Sequence, residues 1–418
     1  MVAQSTVLLP TFGSAGDVNP FIIIGRELQR RGRRVIVISN PHFGPQVEAA
    51  GLDFLGIGSE EEYRRVINDP DLWHPTRSFY VMAENAILSM LRPLYELIVQ
   101  FDPATTTIGA PGIMFGARLA HETHGFPYAT LQLQPGIFRS AYAMPVQGVV
   151  SLPGWLPPSI KRGWTNFLDR AVIDRTLGPR VNAFRAELGL PPARHFFGDF
   201  LHGPQLSIGL FPDWFAPPQP DWPSQVRLTG FIHAATVGAS LTPELEAFLA
   251  AGAPPVVFTP GSAMKLGDNF FDVAAQACAR VGCRGLLLTP FPEQVPAHLP
   301  DGVLHCSFAP FDLLLPRAAA LVYHGGIGTL AQALAAGIPH LVMPMGHDQP
   351  DNAHRLESLG VAATVRPKQF TPARVAAALN SLLNDPALAA RARQLAPRVG
   401  FTDSLAATCD LLLDLSPA

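Results

Sequence analysis

The chain has 418 residues, of which 48% are hydrophobic and 15% charged, and its formal net charge is −3 at pH 7. This composition excludes a disordered chain, because it offers enough apolar surface for large folded cores. The small negative charge, with lysines only at 161, 265 and 368, argues against a nucleic-acid partner. The length is typical of two domains.

The first apolar run lies close to the start, in MVAQSTVLLPTFGSAGDVNP. No basic region precedes this run and Asp17 follows it, which argues against a signal peptide. No apolar stretch reaches the roughly 20 residues that cross a bilayer. The four cysteines form no CxxC pair, which argues against zinc and indicates a reducing compartment. We therefore expect a cytoplasmic protein with no transmembrane segment, whose contact with a membrane would be peripheral.

Short runs rich in leucine or β-branched residues predict strands along the chain. These runs are VLLP (7–10), VIVIS (35–39), LSIGLF (206–211), VVFTP (256–260), GLLLT (285–289), ALVYH (320–324) and HLVMP (340–344). Segments of helical period separate them, and this alternation predicts βαβ units with parallel sheets. The expected fold class is therefore α/β.

A proline-rich stretch at 211–231 predicts a boundary near residue 225, because proline interrupts both ladders and helices. Gly-Ser-Ala follows a predicted strand at 13–15 and again at 261–263, which favours two doubly wound domains. We expect an N-terminal domain over 1–225 and a C-terminal domain over 226–400. The segment 401–418 predicts an amphipathic helix that packs back on the N-terminal domain. Its apolar stripe consists of Leu405, Cys409, Leu412 and Leu413.

The segment between about 60 and 165 is rich in aromatic residues and methionine. It favours a helical excursion with its own core, and the alternative is an apolar pocket for an acceptor molecule. The candidate pocket residues are Trp73, Phe79, Met82, Phe138 and Met144. Asp69 and Asp71 form a DxD pair that could hold a divalent cation. The proline between them favours a turn, so no metal site is predicted.

Asp17 lies in a glycine-containing loop after the first strand. Ligands of parallel sheets bind at the carboxyl ends of the strands, so Asp17 could take a proton from a nucleophile. It could equally cap the helix that includes Phe21 to Arg30. Both interpretations remain open from the residues alone.

The stretch HGGIGTLAQALAAG (324–337) predicts a strand, a glycine turn and a helix. Unpaired backbone N–H groups and the positive end of the helix dipole then meet at one point, which favours an anion such as a diphosphate. His324 and Thr329 could donate to the same anion. The alternative is a glycine-rich turn that binds nothing.

The polar loop GHDQPDN (346–352) follows the next strand and could bind the hydroxyl groups of a sugar. A second interpretation competes here, because Gly326, Gly328 and Ala331 fit GxGxxA and Asp348 follows about 20 residues later. That pattern is typical of NAD or FAD enzymes. An NAD-dependent oxidoreductase is therefore kept as an alternative.

The stretch from 308 to 352 resembles the donor-binding signature of the family 1 nucleotide-sugar glycosyltransferases. The resemblance implies the GT-B fold, in which two Rossmann-like domains face each other across an interdomain cleft. It implies a donor site in which Phe308 stacks on the nucleobase, His324 and Thr329 bind the diphosphate, and Gln332 holds the ribose. Asp348 and Gln349 would hold the sugar. The complete implied donor set is Ser14, Gly16, Gly261, Ser262, Phe308, Ala309, His324, Gly326, Gly328, Thr329, Gln332, Asp348 and Gln349.

The chain departs from the plant branch of this family, which has Trp in place of Phe308 and Glu in place of Gln332. It also offers Asp17 where the plant enzymes have a catalytic His, as the bacterial antibiotic-type members do. Residues 62–79 and 211–223 are similar to the rhamnosyltransferases that form rhamnolipids. This narrower resemblance implies dTDP-rhamnose as donor and a hydroxy-fatty-acid acceptor.

Together the motifs and the resemblance predict an inverting glycosyltransferase that needs no metal and no cofactor, with Asp17 as catalytic base. Its donor would be dTDP-rhamnose or UDP-glucose. Its acceptor would be a hydroxyl of a hydrophobic molecule such as a hydroxy-fatty-acid lipid, a sterol or a polyphenol. The alternatives are a catalytically silent partner that binds sugar nucleotides and the NAD-dependent oxidoreductase.

Overall fold

The computed structural model describes residues 5–74, 76–146, 151–234, 239–261 and 269–415. The chain divides into two compact units, one formed by Met1–Ile232 with Phe401–Ala418 and the other by His233–Gly400. Each unit contains one parallel sheet with helices, which confirms the α/β fold class. Within the described ranges, none of the helices combines the length and the apolar composition that a bilayer span requires.

The first unit is built on seven strands. They are β1 Thr6–Pro10, β2 Arg34–Ser39, β3 Asp53–Gly56, β4 Thr106–Ala110, β5 Tyr128–Gln132, β6 Leu206–Gly209 and β7 Val226–Leu228. Its helices are α1 Ala15–Arg30, α2 Gly44–Ala49, α3 Glu60–Ile67, α4 Ser78–Met82, α5 Ser89–Ile98, α6 Phe115–His124, α7 Pro158–Leu168 and α8 Asp174–Glu187, together with a C-terminal helix described below.

The strand order of this sheet is β3-β2-β1-β4-β5-β6-β7, and all its pairs are parallel. The order reverses between β1 and β4, so the chain leaves these two neighbouring strands toward opposite faces of the sheet. A crevice forms at such a switch point, outside the carboxyl ends of the strands. The loop that carries Asp17 follows β1 and therefore lies there.

Successive residues of β1 point to opposite faces of this sheet, as the period of a strand requires. Leu8 belongs to a core with helices α5, α6 and α8, whereas Val7 and Leu9 belong to a core with α1 and α2. All three side chains are completely buried. A sheet covered on both faces explains why its central strands read as continuous apolar runs.

The second unit is built on six strands, β8 Val256–Thr259, β9 Gly285–Leu288, β10 Val303–Cys306, β11 Ala320–Tyr323, β12 His340–Val342 and β13 Ala362–Thr364. Its helices are α9 Pro243–Ala250, α10 Phe270–Val281, α11 Phe311–Leu314, α12 Ile327–Ala336, α13 Gln349–Ser358, α14 Pro372–Leu383 and α15 Pro386–Leu395. The strand order is β10-β9-β8-β11-β12-β13. This order reverses between β8 and β11, so the loops after these two strands flank the second switch point.

The last helix, α16 Phe401–Leu415, belongs to the first unit although it follows the second in sequence. Cys409 and Leu412 are completely buried in the core that contains α1. The Cys409 thiol lies 3.9 Å from the carbonyl oxygen of Ile24. The apolar spacing of the sequence predicted this buried stripe.

Two features differ from the sequence-based description. The boundary suggested near residue 225 precedes β7, and because β7 pairs with β6 the first unit continues to Ile232. The segment from about 60 to 165 is not only a helical excursion, since it also contains β4 and β5 of the central sheet. These strands read as TTIGA and YATLQ, in which small and polar residues dilute the apolar signal.

Candidate functional site

Asp17 lies in the first turn of α1, where Ser14 is the residue that precedes the helix. Its Oδ2 accepts hydrogen bonds from the Ser14 backbone N–H at 2.8 Å and from the Ser14 hydroxyl at 2.9 Å. The structure thus shows the capping role, and the same carboxylate lies at the carboxyl end of β1. Gly16, the residue before Asp17, is exposed.

The glycine at position 13 makes room for this carboxylate. Gly13 has a φ of +128°, and a Cβ atom on it would lie 2.4 Å from Asp17 Oδ2. A side chain at this position would thus displace the carboxylate as well as strain the backbone.

Two aromatic residues near Asp17 were not identified from the sequence. Tyr63 of α3 stacks on His42, with ring centroids 4.5 Å apart and an interplanar angle of 18°. Burial raises the pKa of the Tyr63 hydroxyl, and the negative charge of Asp17 adds to this effect. His42 follows β2 closely, so the position of a ring-bearing residue after a predicted strand was the signal available in the sequence.

In the second unit, the ring of His324 fills a slot between two glycines at the switch point. A Cβ atom on Gly261 would lie 2.6 Å from His324 Cε1, and a Cβ atom on Gly326 would lie 2.4 Å from His324 Nε2. Both distances are far inside van der Waals contact, which begins near 3.5 Å for carbon. Gly261 follows β8 and Gly326 follows β11, so the strand order brings the two loops together. Ser262, the next residue of the predicted donor set, lies outside the described residues.

Burial lowers the pKa of His324 to about 4, so the imidazole is neutral near pH 7. Its Nδ1 atom is buried and has no hydrogen-bond partner among the residues that the structure describes. A neutral imidazole still carries one N–H group that can be donated to an anion. The site therefore offers a hydrogen bond at this position rather than a full positive charge.

The helix that follows the slot, α12, has Gly326 as its N-cap. Its first backbone N–H groups have no acceptor within the helix, and the helix dipole is positive at this end. A Cβ atom on Gly328 would meet nothing within 4 Å, so the space beside this first turn is open. Thr329, half-buried, lies one residue further along the same turn. These features are what a diphosphate requires of a binding site.

The side chains predicted to hold the ribose and the sugar already make hydrogen bonds within the protein. Gln332 Nε2 donates to the Gly328 carbonyl at 3.3 Å. Gln349 is buried, and its Oε1 accepts from the backbone N–H groups of Met345 at 2.8 Å and Gly346 at 3.3 Å. Gln349 therefore shapes the loop before α13.

Asp348 and the neighbouring Asn352 tie that loop to the glycine turn. Asn352 is completely buried, and its Nδ2 donates to the Gly325 carbonyl at 2.9 Å and to Asp348 Oδ2 at 2.7 Å. Gly325 has a φ of +95°, so the turn needs a glycine here. The hydrogen bonds of the polar loop thus fix the turn after β11, and Asp348 takes part in them.

Phe308 is 68% exposed, which leaves its ring face available for a planar ligand group, and the adjacent Ala309 is buried. The two residues precede α11 in the second unit.

The five predicted acceptor residues have different environments. Phe138 is buried and stacks on His202 with ring centroids 5.1 Å apart, so it belongs to the core. Phe79 and Met82 are partly buried against the core that contains α5 and α6. Trp73 and Met144 are half-buried. The buried ring of Phe138 is therefore not available to an acceptor, whereas the other four residues retain exposed surface.

The DxD pair serves the local backbone. Asp69 accepts a hydrogen bond from the Asp71 N–H at 2.8 Å, and Asp71 lies 3.3 Å from the Arg77 guanidinium. Across the described ranges, no group of three or more His, Cys, Asp or Glu side chains could hold a metal ion.

Comparison with known proteins gives matches over most of the chain. Residues 7–143 match the glycosyltransferase family 28 N-terminal domain, and residues 291–401 match the erythromycin biosynthesis protein CIII-like C-terminal domain. The O-mycaminosyltylonolide 6-deoxyallosyltransferase of Streptomyces fradiae is 31% identical over 97% of this chain and 96% of its own length.

Solved structures show the same fold. The glycotransferase of kitacinnamycin superimposes with a TM-score of 0.76 and 21% identity over 99% of this chain and 100% of its own. Glycosyltransferase VinC in complex with dTDP gives a TM-score of 0.68 and 22% identity over 98% of this chain and 99% of its own. The matches thus support a resemblance to antibiotic-type glycosyltransferases in general. They do not support the narrower resemblance to the rhamnolipid rhamnosyltransferases.

Proposed function

This chain belongs to the glycosyltransferases that have a family 28 N-terminal domain and an EryCIII-like C-terminal domain, and we propose that it transfers a sugar from a nucleoside diphosphate sugar to a hydroxyl of a hydrophobic acceptor. Because the chain belongs to this family, the GxGxxA pattern is no longer interpreted as the signature of an NAD-dependent oxidoreductase. The observation that carries the donor chemistry is the His324 slot at the start of α12.

The leaving group of the reaction is the nucleoside diphosphate. When the bond between the anomeric carbon and the phosphate oxygen breaks, its electron pair remains on the diphosphate. The N–H groups of the first turn of α12, the Thr329 hydroxyl and the His324 imidazole can stabilise this negative charge. Each preorganised donor of this kind contributes about 10²–10³-fold to the rate of enzymes that use one.

The nucleophile is the acceptor hydroxyl, and Asp17 is its base. The proton moves to the Asp17 carboxylate while the acceptor oxygen forms the new bond to the anomeric carbon, which inverts the configuration. A positioned general base contributes about 10²–10⁴-fold. Support comes from the position of Asp17 at the carboxyl end of β1 and from the two Ser14 hydrogen bonds that fix its orientation.

The donor proposed is a dTDP or UDP sugar, with dTDP-rhamnose and UDP-glucose as the two specific candidates. The dTDP bound to VinC supports the thymidine nucleotide. The acceptor proposed is a hydroxylated lipid, a sterol or a polyphenol, and no cofactor or metal takes part. Phe308 is proposed to stack on the base, because its ring is exposed and it precedes α11, a helix that contacts α12.

The test is a thermal-shift panel of dTDP, UDP and their sugars on the complete chain, followed by a transfer assay with the donor that binds. The proposal expects stabilisation by one nucleotide and by its sugars, and transfer by the unmodified protein. Binding without transfer to any hydroxylated apolar acceptor would identify the silent partner instead. Stabilisation by NAD but by neither nucleotide would overturn the proposal.

A further inference from the structure

Helix α7 presents an exposed apolar face. Ile160, Trp164 and Phe167 are spaced four and three residues apart, so they lie on one side of the helix. Ile160 is 52% exposed and Phe167 is 58% exposed. The rings of Trp164 and Phe167 stack with centroids 5.8 Å apart. Such a concentration of exposed apolar side chains marks an interaction site in a monomeric unit.

The loop before α7 adds a fourth large residue. Trp155 is 82% exposed, and its neighbour Gly154 accepts a hydrogen bond at 2.8 Å from the Nζ of Lys161. Lys161 itself is buried, so its side chain secures the loop against the helix. We call Trp155, Ile160, Trp164 and Phe167 the α7 face.

Exposed arginines follow the α7 face, whereas the carboxylates of the same region are paired within the unit. Arg170 and Arg175 are exposed and form no ion pair within the part of the chain that the structure describes. Arg170 follows Phe167 by three residues, one helical turn. An anion at the end of this face would therefore meet the guanidinium group of Arg170, and Arg175 adds a second uncompensated charge to the helix that follows.

The carboxylates of the same region are used inside the unit. Asp169 is buried and paired with Arg139. Asp174 accepts from the backbone N–H groups of His195 and Phe196 at 3.0 and 3.1 Å. Asp221 accepts from the Ser140 hydroxyl at 2.6 Å. The local charge balance of the surface is therefore positive.

None of the four residues of the α7 face lines the cavity beside this helix. That cavity is lined by residues that include Thr165 and Leu168, and its volume is about 40 Å³. Pockets for drug-sized ligands have about 300–1,000 Å³. An extended surface with exposed tryptophan and phenylalanine beside arginine has the chemistry of an interfacial membrane helix.

We propose that the α7 face binds the surface of a membrane that contains anionic lipids. The apolar side chains enter the boundary between headgroups and acyl chains, and Arg170 and Arg175 pair with lipid phosphates. This inference is independent of the donor nucleotide. It would bring the enzyme to the phase in which an apolar acceptor dissolves.

The test is co-sedimentation of the complete chain with vesicles of equimolar phosphatidylcholine and phosphatidylglycerol, and with vesicles of phosphatidylcholine alone. The wild type should bind the vesicles that contain phosphatidylglycerol and should dissociate from them at high salt. Trp155→Ser with Phe167→Ser, and separately Arg170→Gln with Arg175→Gln, should each weaken binding about ten-fold or more. Leu313→Ser and Arg374→Gln change exposed residues of the second unit and should leave binding unchanged.

Several outcomes would overturn the proposal. One is a wild type that stays in the supernatant with anionic vesicles while its thermal shift shows a folded protein. Another is equal vesicle binding by the wild type and both double variants. A third is a wild-type dimer that Phe167→Ser converts to a monomer without any vesicle binding, since the α7 face would then join two copies of the chain. Unchanged melting temperatures of the variants separate a binding defect from a folding defect.

Discussion

The His324 ring occupies the space that a side chain on Gly326 would need, because a Cβ atom there would lie 2.4 Å from His324 Nε2. This relationship allows a steric test of the diphosphate site. Gly326→Ala should push the ring out of its slot and remove the hydrogen bond that we propose His324 donates to the nucleotide. We expect a loss of about ten-fold or more in affinity for dTDP or UDP, measured by calorimetry.

Gly163→Ala is the matched control for that variant, because Gly163 lies within helix α7 of the first unit and a Cβ atom on it would meet nothing within 4 Å. Alanine favours a helix over glycine by about 1 kcal/mol, so this variant should melt at the same temperature as the wild type or higher. Its nucleotide affinity should stay within a few-fold. Equal losses of affinity in both variants would show that the loss does not come from the His324 slot.

Asp17→Asn tests the catalytic base. Asparagine keeps an oxygen that can accept the Ser14 hydrogen bonds, so the start of α1 should persist, but the side chain cannot take up a proton. We expect kcat to fall by about 10²–10⁴-fold with unchanged nucleotide affinity. Ser14→Ala removes one of the two bonds to the carboxylate and should have a smaller effect on kcat. Normal turnover by Asp17→Asn would remove this residue from the mechanism.

Three histidines whose pKa is lowered by burial predict how stability depends on pH. Burial lowers the pKa of His202 and His324 to about 4 and that of His340 to about 3, from an ordinary value of 6.5. The unfolded chain therefore binds protons below pH 6.5 that the folded chain does not bind. The free energy of unfolding should fall as the pH decreases from 6.5 toward 4, by up to about 1.4 kcal/mol per pH unit for each histidine.

The measurement is the melting temperature between about pH 7 and about pH 4.5, for the wild type and for His324→Gln. The variant should lose stability less steeply. His354→Gln changes an exposed histidine of α13 and serves as the control. Identical slopes for the wild type and His324→Gln would contradict the lowered pKa of His324.

Phe308→Ala tests base stacking. The ring is 68% exposed, so its removal should not lower the melting temperature. Stacking of a base on an aromatic side chain is worth about 1–3 kcal/mol. The variant should therefore bind the nucleotide roughly 5- to 150-fold more weakly. Leu313→Ala, a change at a second exposed apolar residue of the same unit, should leave the affinity unchanged. An unaffected Phe308→Ala variant would place the base elsewhere.

The proposed independence of metal ions is tested with EDTA. Asp69 and Asp71 already hold the backbone and Arg77, so neither is expected to serve a divalent cation. Transfer should continue after dialysis against EDTA and should not increase when Mg²⁺ or Mn²⁺ is added. Restoration of a lost activity by either ion would reopen the DxD pair as a metal site.

The strands and the glycine turn could be predicted from the sequence because their signals are local. A buried parallel strand favours a continuous apolar run, as Val7 to Leu9 form, and a turn with a φ of +95° requires a residue such as Gly325. β4 and β5 gave no such signal, because their burial depends on neighbouring strands and helices rather than on their own composition.

The polar loop shows why side-chain roles could not be predicted in the same way. Gln349 and Asn352 have the hydrogen-bonding groups that a sugar needs, but their nearest partners are the backbone of Met345 and the carbonyl of Gly325. These contacts join positions up to 27 residues apart in sequence. The pair of His42 and Tyr63 near Asp17 depends on the same kind of long-range packing.

The central claim is that a nucleoside diphosphate binds where α12 begins, and it is tested most directly by calorimetric titration of dTDP and UDP. The protein should bind at least one of them, His324→Ala should bind it about ten- to a hundred-fold more weakly, and His354→Ala should bind it normally. Equal affinities for the wild type and His324→Ala, or no binding of either nucleotide to the folded wild type, would contradict the account.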